Sequence, residues 1–76
     1  MSWYLIDDCT TRRGAIWTEK LDAKTKEEAK EYALKEWSRL TTHDKHERDH
    51  FYVGYGHDPY DLQDVEFIKS CVQRYY

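Results

Sequence analysis

The sequence predicts a small α+β domain in which helices pack on one face of a three-stranded antiparallel sheet. Two observations carry this prediction. Short aromatic and β-branched runs occur at residues 3–6, 15–21 and 50–55, and one long central stretch has apolar residues at helical spacing. The 76 residues suit one domain, 1–76. A sheet covered by helices on one face is the simplest way to bury these apolar surfaces.

The first two strands are predicted to form a β-hairpin. Trp3–Ile6 is a short apolar run that is ended by two aspartates. Ala15–Leu21 alternates in polarity and places Ala15, Trp17 and Leu21 on one side. Between them, Thr10–Gly14 has the composition of a turn, and Gly14 can adopt a positive φ. The hairpin is therefore expected to carry a short basic loop at its tip.

Residues 26–40 are predicted to form the long helix. Thr25 and Glu28 have the spacing of a capping box, and apolar residues then recur every three or four positions. Thr41–Asp44 offers a second cap. This cap predicts a short second helix over residues 43–49, or a bent continuation of the first.

A third strand and a C-terminal helix complete the predicted order. Residues 50–55 are rich in aromatic and β-branched side chains, and a right-handed crossover would place them beside the first strand and antiparallel to it. Asp61 is a suitable N-cap, and the positions that follow at helical spacing are Val65, Ile68, Val72 and Tyr75. A strand over residues 65–72 is the alternative, because this segment alternates in part.

Composition argues against a disordered or membrane-spanning chain. Charged residues make up 36% and hydrophobic residues 39%, but 16% is aromatic, and large rings bury much area from few positions. No uncharged stretch approaches the roughly 20 residues of a transmembrane helix. The N-terminus has no basic segment followed by an apolar run, so we expect a cytoplasmic protein without membrane contact. Cys9 and Cys71 lack CxxC spacing and are expected to be reduced thiols.

The segment His46–His50 matches the HExxH pattern of zinc metalloproteases. In that pattern two histidines one helical turn apart bind zinc, and the glutamate, here Glu47, acts on the bound water. The intervening Arg48 and Asp49 are charged, however, and His50 falls at the expected junction of helix and strand. The chain is also short for such an enzyme's cleft. We therefore expect no catalytic residue, metal or cofactor, and interpret the segment as a charged connector.

Aromatic residues exceed what a small core needs, and this excess predicts an interaction surface. Exposed rings rimmed by charge are the usual anchors of protein interfaces. We expect a non-enzymatic module that binds a protein partner or a second copy of itself. The residues expected to contact the partner are Trp17, Tyr52, Tyr55, Tyr60 and Tyr76.

Nucleic-acid binding is the alternative interpretation. Aromatic rings on a sheet stack on bases while nearby cations contact phosphates. The residues assigned to this role are Trp17 or Tyr52 for stacking, and Arg12, Arg13 and Lys20 for phosphates. No RNP-like sequence, GXXG loop or zinc knuckle is present, and the net charge is −3. That charge balance counts against a dedicated nucleic-acid binder.

Two short segments carry a resemblance to known sequences. Glu36–Thr41 ends a helix with the pattern W-x-x-L-T, and Arg48–Val53 opens a strand with R-D-x-F-Y-V. Over residues 15–55 the chain resembles small uncharacterised proteins encoded on conjugative or phage-like elements of gut Firmicutes. The resemblance implies mobile-element cargo in a bacterial cytoplasm, and it implies no activity, cofactor or catalytic residue.

Overall fold

A computed structural model describes residues 1–70, which form a four-stranded antiparallel sheet with one long helix across one face. The elements in chain order are β1 (Ser2–Cys9), α1 (Thr10–Arg13), β2 (Ala15–Leu21), α2 (Lys26–Ser38), α3 (Thr42–Glu47), β3 (His50–Asp58) and β4 (Asp61–Ser70). The strand order is β2-β1-β3-β4. The predicted α+β class is confirmed, as is the placement of the third strand beside the first.

β1 and β2 form the predicted hairpin, with Trp3 opposite Leu21. The connection is a single helical turn, α1, rather than an irregular loop. Oδ1 of Asp8 starts this turn by accepting hydrogen bonds from the backbone N–H and the hydroxyl of Thr10, at 3.0 and 2.8 Å. Gly14 ends the turn with a φ of 67°, a left-handed conformation that glycine adopts at no steric cost.

α2 begins at the residue that the capping pattern predicts. The hydroxyl of its N-cap, Thr25, accepts a hydrogen bond from the backbone N–H of Glu28 at 3.2 Å. Ala29 and Ala33 are fully buried on the sheet side, where their small side chains allow close approach to the strands. α3 likewise follows its predicted cap, Thr41. None of the described helices is long and apolar enough to cross a membrane.

The core lies between α2 and the sheet side that faces it. Its buried members are Trp3, Leu5, Leu21, Ala29, Ala33, Phe51 and Val53. The strand residues among them are alternate positions of β1 and β3 and the last position of β2. Because successive side chains of a strand point to opposite faces, these core positions also fix which residues point away from α2.

The predicted C-terminal helix is wrong over residues 61–70, and the sheet has four strands instead of three. Residues 61–70 form β4, which is antiparallel to β3. Oδ1 of Asp58 accepts a hydrogen bond from the backbone N–H of Tyr60 at 2.7 Å, which closes a two-residue turn. Asp61 then pairs with Asp58 as the first strand residue instead of capping a helix. β4 also provides hydrogen-bond partners for the backbone N–H and C=O groups along the edge of β3 that does not pair with β1.

A β-bulge in β4 explains why this segment has helical spacing. The register with β3 shifts next to Ile68, which is the extra residue of the bulge. Ile68 packs against the core, whereas Val65 and Phe67 point away from α2. Val65 and Ile68 are three positions apart, as on one face of a helix, but they lie on opposite faces of a bulged strand. Residues 71–75 of the predicted helix lie outside the described residues.

Candidate interaction surface

The side of the sheet that points away from α2 carries exposed apolar residues on its two outer strands, whereas Tyr4 and Ile6 at its middle are buried. We call this side the open face. In the described part of the chain, the long helix covers the other side. The residues of the open face are Ser2, Tyr4, Ile6 and Asp8 on β1, Ile16, Thr18 and Lys20 on β2, His50, Tyr52 and Gly54 on β3, and Leu62, Val65 and Phe67 on β4.

The open face is apolar and carries little charge. Ile16, Val65 and Phe67 on its two outer strands are 41%, 41% and 45% exposed. Apart from the histidine of β3, its described charged residues are Asp8 and Lys20, although 36% of the whole chain is charged. Exposed apolar patches from which charge is largely excluded are typical of protein interfaces.

Aromatic rings join β3 to β4 on this face. The ring centroids of Tyr52 and Phe67 are 4.9 Å apart, and those of His50 and Phe67 are 5.9 Å apart. Burial, and secondarily the carboxylate of Asp8, raises the pKa of Tyr52. Tyr52 therefore remains a neutral phenol at physiological pH, and the ring cluster offers a partner apolar contact together with one hydroxyl.

The five residues predicted to bind a partner do not lie on one surface. Tyr52 belongs to the open face. Trp17 is half-exposed on the opposite side of β2, beside a cleft of about 440 Å³ near the end of α2. Tyr55 packs against the core, and Tyr60 is exposed in the β3–β4 turn. Tyr76 lies outside the described residues. The structure thus brings one of these five to the open face and separates the three other described residues from it.

Sequence reasoning missed Ile16, Val65 and Phe67 as site residues. The sequence predicts a helix for the segment that contains the two β4 residues, and in a helix they would not share a face. The signal that could have found them is the alternation of Val65 and Phe67 directly after the Asp58–Asp61 turn. The alternation of residues 15–21 that places Trp17 on one side of β2 also places Ile16 on the other side.

The cations assigned to nucleic-acid binding do not form one patch. Nε and Nη2 of Arg13 donate to the two carboxylate oxygens of Glu47 at 2.6 and 2.9 Å, so the charge of Arg13 is compensated. Lys20 lies on the open face opposite Tyr4. α1, which carries Arg12 and Arg13, begins six positions further along the chain than Tyr4. Lys20 and these two arginines are therefore roughly 20 Å apart along the direction of β1.

The HExxH segment does not form a metal site in the part of the chain that the structure describes. α3 ends at Glu47 and His50 belongs to β3, so no single helix carries both histidines of the pattern. Glu47 is bound by the guanidinium of Arg13, and its Oε1 also lies 2.9 Å from Nε2 of His43. The glutamate that would act on a metal-bound water is therefore engaged in ion pairs.

The remaining charges of this segment hold the connector against the sheet. Nη2 of Arg48 lies 3.0 Å from Oδ2 of Asp7, and both side chains are largely buried. Asp49 is buried, and its Oδ2 accepts a hydrogen bond from the backbone N–H of Thr11 at 2.7 Å. This hydrogen bond to Thr11 is the main reason that the pKa of Asp49 is lowered. The connector is thus fastened to both β1 and α1.

The Arg13–Glu47 pair predicts a component of acid sensitivity. The hydrogen bond from Arg13 is the main factor that lowers the pKa of Glu47 from 4.5 to about 2. The stabilisation is therefore fully present above about pH 4.5 and is lost as the pH falls towards about 2. We expect the free energy of unfolding of Glu47→Gln to fall less steeply over this interval than that of the wild type in urea titrations. Equal slopes would contradict this assignment.

Cys9 is a buried free thiol at the end of β1. Burial first, and then a hydrogen bond from Sγ to Oδ1 of Asp7 at 3.3 Å, raise its pKa from 9.0 to about 11. The thiolate is the nucleophilic form of cysteine. Cys9 is therefore protonated and unreactive at neutral pH, and Cys71 lies outside the described residues.

Comparisons with known proteins identify no relative: no family model, no curated protein and no solved structure matches the chain.

Proposed function

We propose that this protein is a small non-enzymatic interaction module that binds a protein surface through the open face. The observation that carries the proposal is the contrast between the two sides of the molecule. α2 covers one side of the sheet and presents a run of lysines and glutamates outwards, so that the exposed Tyr32 and Leu34 on this side lie among charges. The other side exposes Ile16, Val65 and Phe67 with little charge between them. Such a face gains stability when a complementary protein surface removes it from water.

A protein partner fits this face better than nucleic acid does. Phosphate binding depends on several cations acting together. The described part of the open face offers one lysine, Lys20, and the carboxylate of Asp8 lies on the same face next to Tyr52. Arg13 is already paired with Glu47. The aromatic rings therefore lack the basic surroundings that accompany base stacking.

The environments of Cys9, Glu47 and Asp49 support a binding role rather than a catalytic one for these groups. The thiol of Cys9 is buried, and its pKa is raised to about 11. The carboxylates of Glu47 and Asp49 accept short hydrogen bonds that fasten α3 and its connection to β3 against α1. Glu47 and Asp49 therefore have structural tasks that would be lost if they took part in chemistry, and the Cys9 thiol is buried.

Two matched substitutions test the proposal. Phe67 on the open face and Leu34 on the outer side of α2 are 45% and 49% exposed, so Phe67→Gln and Leu34→Gln remove similar exposed apolar groups from opposite sides. Tagged full-length protein is expected to capture its partner from a lysate of the producing cells. We expect Phe67→Gln to reduce this capture by about tenfold, the effect of removing an interface anchor, and Leu34→Gln to leave it unchanged.

Thermal unfolding of the variants provides the control for this comparison. Both should keep the fold, with melting temperatures a few degrees or less below that of the wild type, since neither residue belongs to the buried core. If Phe67→Gln and Leu34→Gln capture the same proteins in the same amounts, the open face is not the binding surface.

A further inference from the structure

We infer that the free edge of β2 and the adjoining side of α2 bind an extended peptide segment that carries basic side chains at alternate positions. This site is separate from the open face, because it uses the backbone edge of β2 and the side of the sheet that carries α2. It goes beyond the proposed function and is tested independently of it. Three features support it: the exposure of β2, the backbone groups at its free edge, and the charge of the adjoining clefts.

β2 is exposed on both of its faces and along one edge. It is an outer strand of the sheet, and in the described part of the chain only β1 pairs with it. All residues from Ile16 to Lys20 are exposed. α2 packs mainly against β1, β3 and β4, so it leaves the near side of β2 uncovered as far as Leu21, which is buried. An exposed edge strand is a template on which an extended chain can add a further strand.

The hydrogen bonds of β1 show which backbone groups of β2 point to the free edge. The carbonyl oxygen of Asp8 accepts a hydrogen bond from the backbone N–H of Asp49 at 2.8 Å, so the backbone groups of Asp8 point towards β3. Successive residues of a strand direct these groups to opposite edges. Asp7 therefore points to β2, where its partner is Trp17. The N–H and C=O groups of β2 that point to the free edge are those of Ile16, Thr18 and Lys20.

Two clefts lie next to each other along the α2 side of β2, and Glu19 lines both. One, of about 440 Å³, contains the half-exposed ring of Trp17, and the other, of about 520 Å³, contains Tyr32 of α2. The hydroxyl of Tyr32 donates to Oε2 of Glu19 at 2.8 Å, across the space between helix and strand. We call the two clefts and the free edge of β2 the β2 groove. In an added strand, every second side chain would point to this side, about 7 Å apart, so two of them can enter the two clefts.

Negative charge predominates in both clefts. The cleft of Tyr32 is lined by four carboxylates and two lysines, and that of Trp17 by three carboxylates and one arginine, with Glu19 in both sets. The arginine, Arg48, is already paired with Asp7 at 3.0 Å. Long basic side chains complement these clefts, because their stems pack on aromatic rings while their charged ends reach carboxylates. The carboxylates are those of Asp7, Glu19, Asp22, Glu28, Glu31 and Glu36.

The same charge disfavours a second copy of this chain at the free edge. Antiparallel pairing of two β2 strands about a two-fold axis would extend the sheet and place both α2 helices on the same side of it. The two sets of acidic clefts would then meet at the junction. Like charges brought together in this way suppress association. A basic peptide strand adds to the edge without this repulsion.

Fluorescence anisotropy of a labelled ten-residue peptide, titrated with the full chain, tests the inference. The probe alternates arginine with threonine, so that all its basic side chains lie on one side of the extended strand. We expect a dissociation constant on the order of 10 to 100 µM at low salt, with weaker binding as salt is added. A peptide of the same composition with its five arginines consecutive should bind about fivefold more weakly, because it presents them on both sides. Equal binding of the two peptides, or no binding of the first, would overturn the inference.

Two substitutions that remove the same charge locate the peptide. Glu19→Gln keeps an oxygen that accepts the Tyr32 hydrogen bond and should raise the dissociation constant about fivefold. Glu27→Gln acts on α2 outside both clefts and should change the constant less than about twofold. Thr18→Pro removes an outward N–H that β1 does not use, at the kind of edge position where proline is tolerated. It should weaken binding about tenfold or more. Equal effects of the two glutamine variants would place the peptide elsewhere.

Amide hydrogen exchange reads the backbone pairing directly and does not depend on any variant. The N–H groups of Ile16, Thr18 and Lys20 should exchange about tenfold more slowly in excess peptide, as amides that gain hydrogen bonds do. Those of Trp17 and Glu19 already face β1 and should change less. Protection of the same three amides by raising the protein concentration alone would make a second copy the occupant and overturn the inference.

The outcomes separate this inference from the proposed function. Phe67→Gln lies on the open face and should bind the peptide as the wild type does. If Phe67→Gln loses the peptide and Glu19→Gln retains it, the peptide lies on the open face and the β2 groove is not its site. If no peptide binds but Phe67→Gln still loses the captured partner, the inference fails and the proposed function stands.

Discussion

Replacing Gly56 with alanine is expected to detach β4 from β3 and to abolish binding through the open face. A Cβ atom at this position would overlap the carbonyl oxygen of Asp61 and lie 2.8 Å from Cα of Leu62. Both are backbone atoms of the adjacent strand, which cannot rotate away as a side chain can. We expect a loss of about 3 kcal/mol or more in the free energy of unfolding, at the upper end of overpacking effects.

Gly54→Ala is the matched control on the same strand. Its added Cβ would overlap Cδ1 of Leu62, the far end of a flexible side chain that can change rotamer. We therefore expect a loss of only about 1 kcal/mol. Urea denaturation measures both values, and amide hydrogen exchange of β4 reports whether the strand has detached. Equal destabilisation by the two alanines would contradict the close backbone approach at Gly56.

Alanine substitution of the two phenylalanines is expected to affect different properties. Phe51→Ala should mainly lower the stability of the fold, and Phe67→Ala should mainly lower binding. Phe51 is buried on the side that faces α2, where its ring centroid lies 5.3 Å from that of Trp37. Phe51→Ala should cost about 3 to 5 kcal/mol of stability, as truncation of buried aromatic residues does. Phe67 lies on β4 with its ring partly exposed, so Phe67→Ala should cost about 1 kcal/mol in the dilute chain.

The order reverses when binding is measured. Phe67→Ala should lose capture of the partner while the chain remains folded. Phe51→Ala should affect capture only in proportion to the fraction of unfolded chain. Urea titrations at low protein concentration, run beside the capture assay, provide both readings. If the same phenylalanine dominates both measurements, the separation of a core side from a binding side is wrong.

Local sequence signals predict the elements whose ends are set by neighbouring residues. Thr25 and Thr41 cap α2 and α3 as their spacing indicates, and Gly14 adopts the positive φ expected of it. β4 could not be predicted in this way. The bulge at Ile68 arises from pairing with β3. Without that partner strand, the spacing of Val65 and Ile68 resembles a helix.

The candidate site is harder to predict than the fold because it depends on four strands at once. Tyr52 has the same composition signal as Tyr55, but successive strand residues point to opposite faces. Only the core contacts show that Tyr55 lies on the α2 side and that Tyr52 points away from it. The HExxH pattern illustrates the same limit. Glu47 has the residue type and spacing for metal chemistry, yet its partner is Arg13, which is distant in sequence.

The central claim is that the open face is the surface buried on binding, and hydroxyl-radical footprinting tests it most directly. The captured complex, or the concentrated chain if it self-associates, is compared with the dilute free chain. The proposal predicts lower oxidation of Phe67, Tyr52 and Val65 on binding, and unchanged oxidation of Leu34 on α2. Protection of Leu34 with no change at Phe67 would place the interface on the helical side and contradict the account.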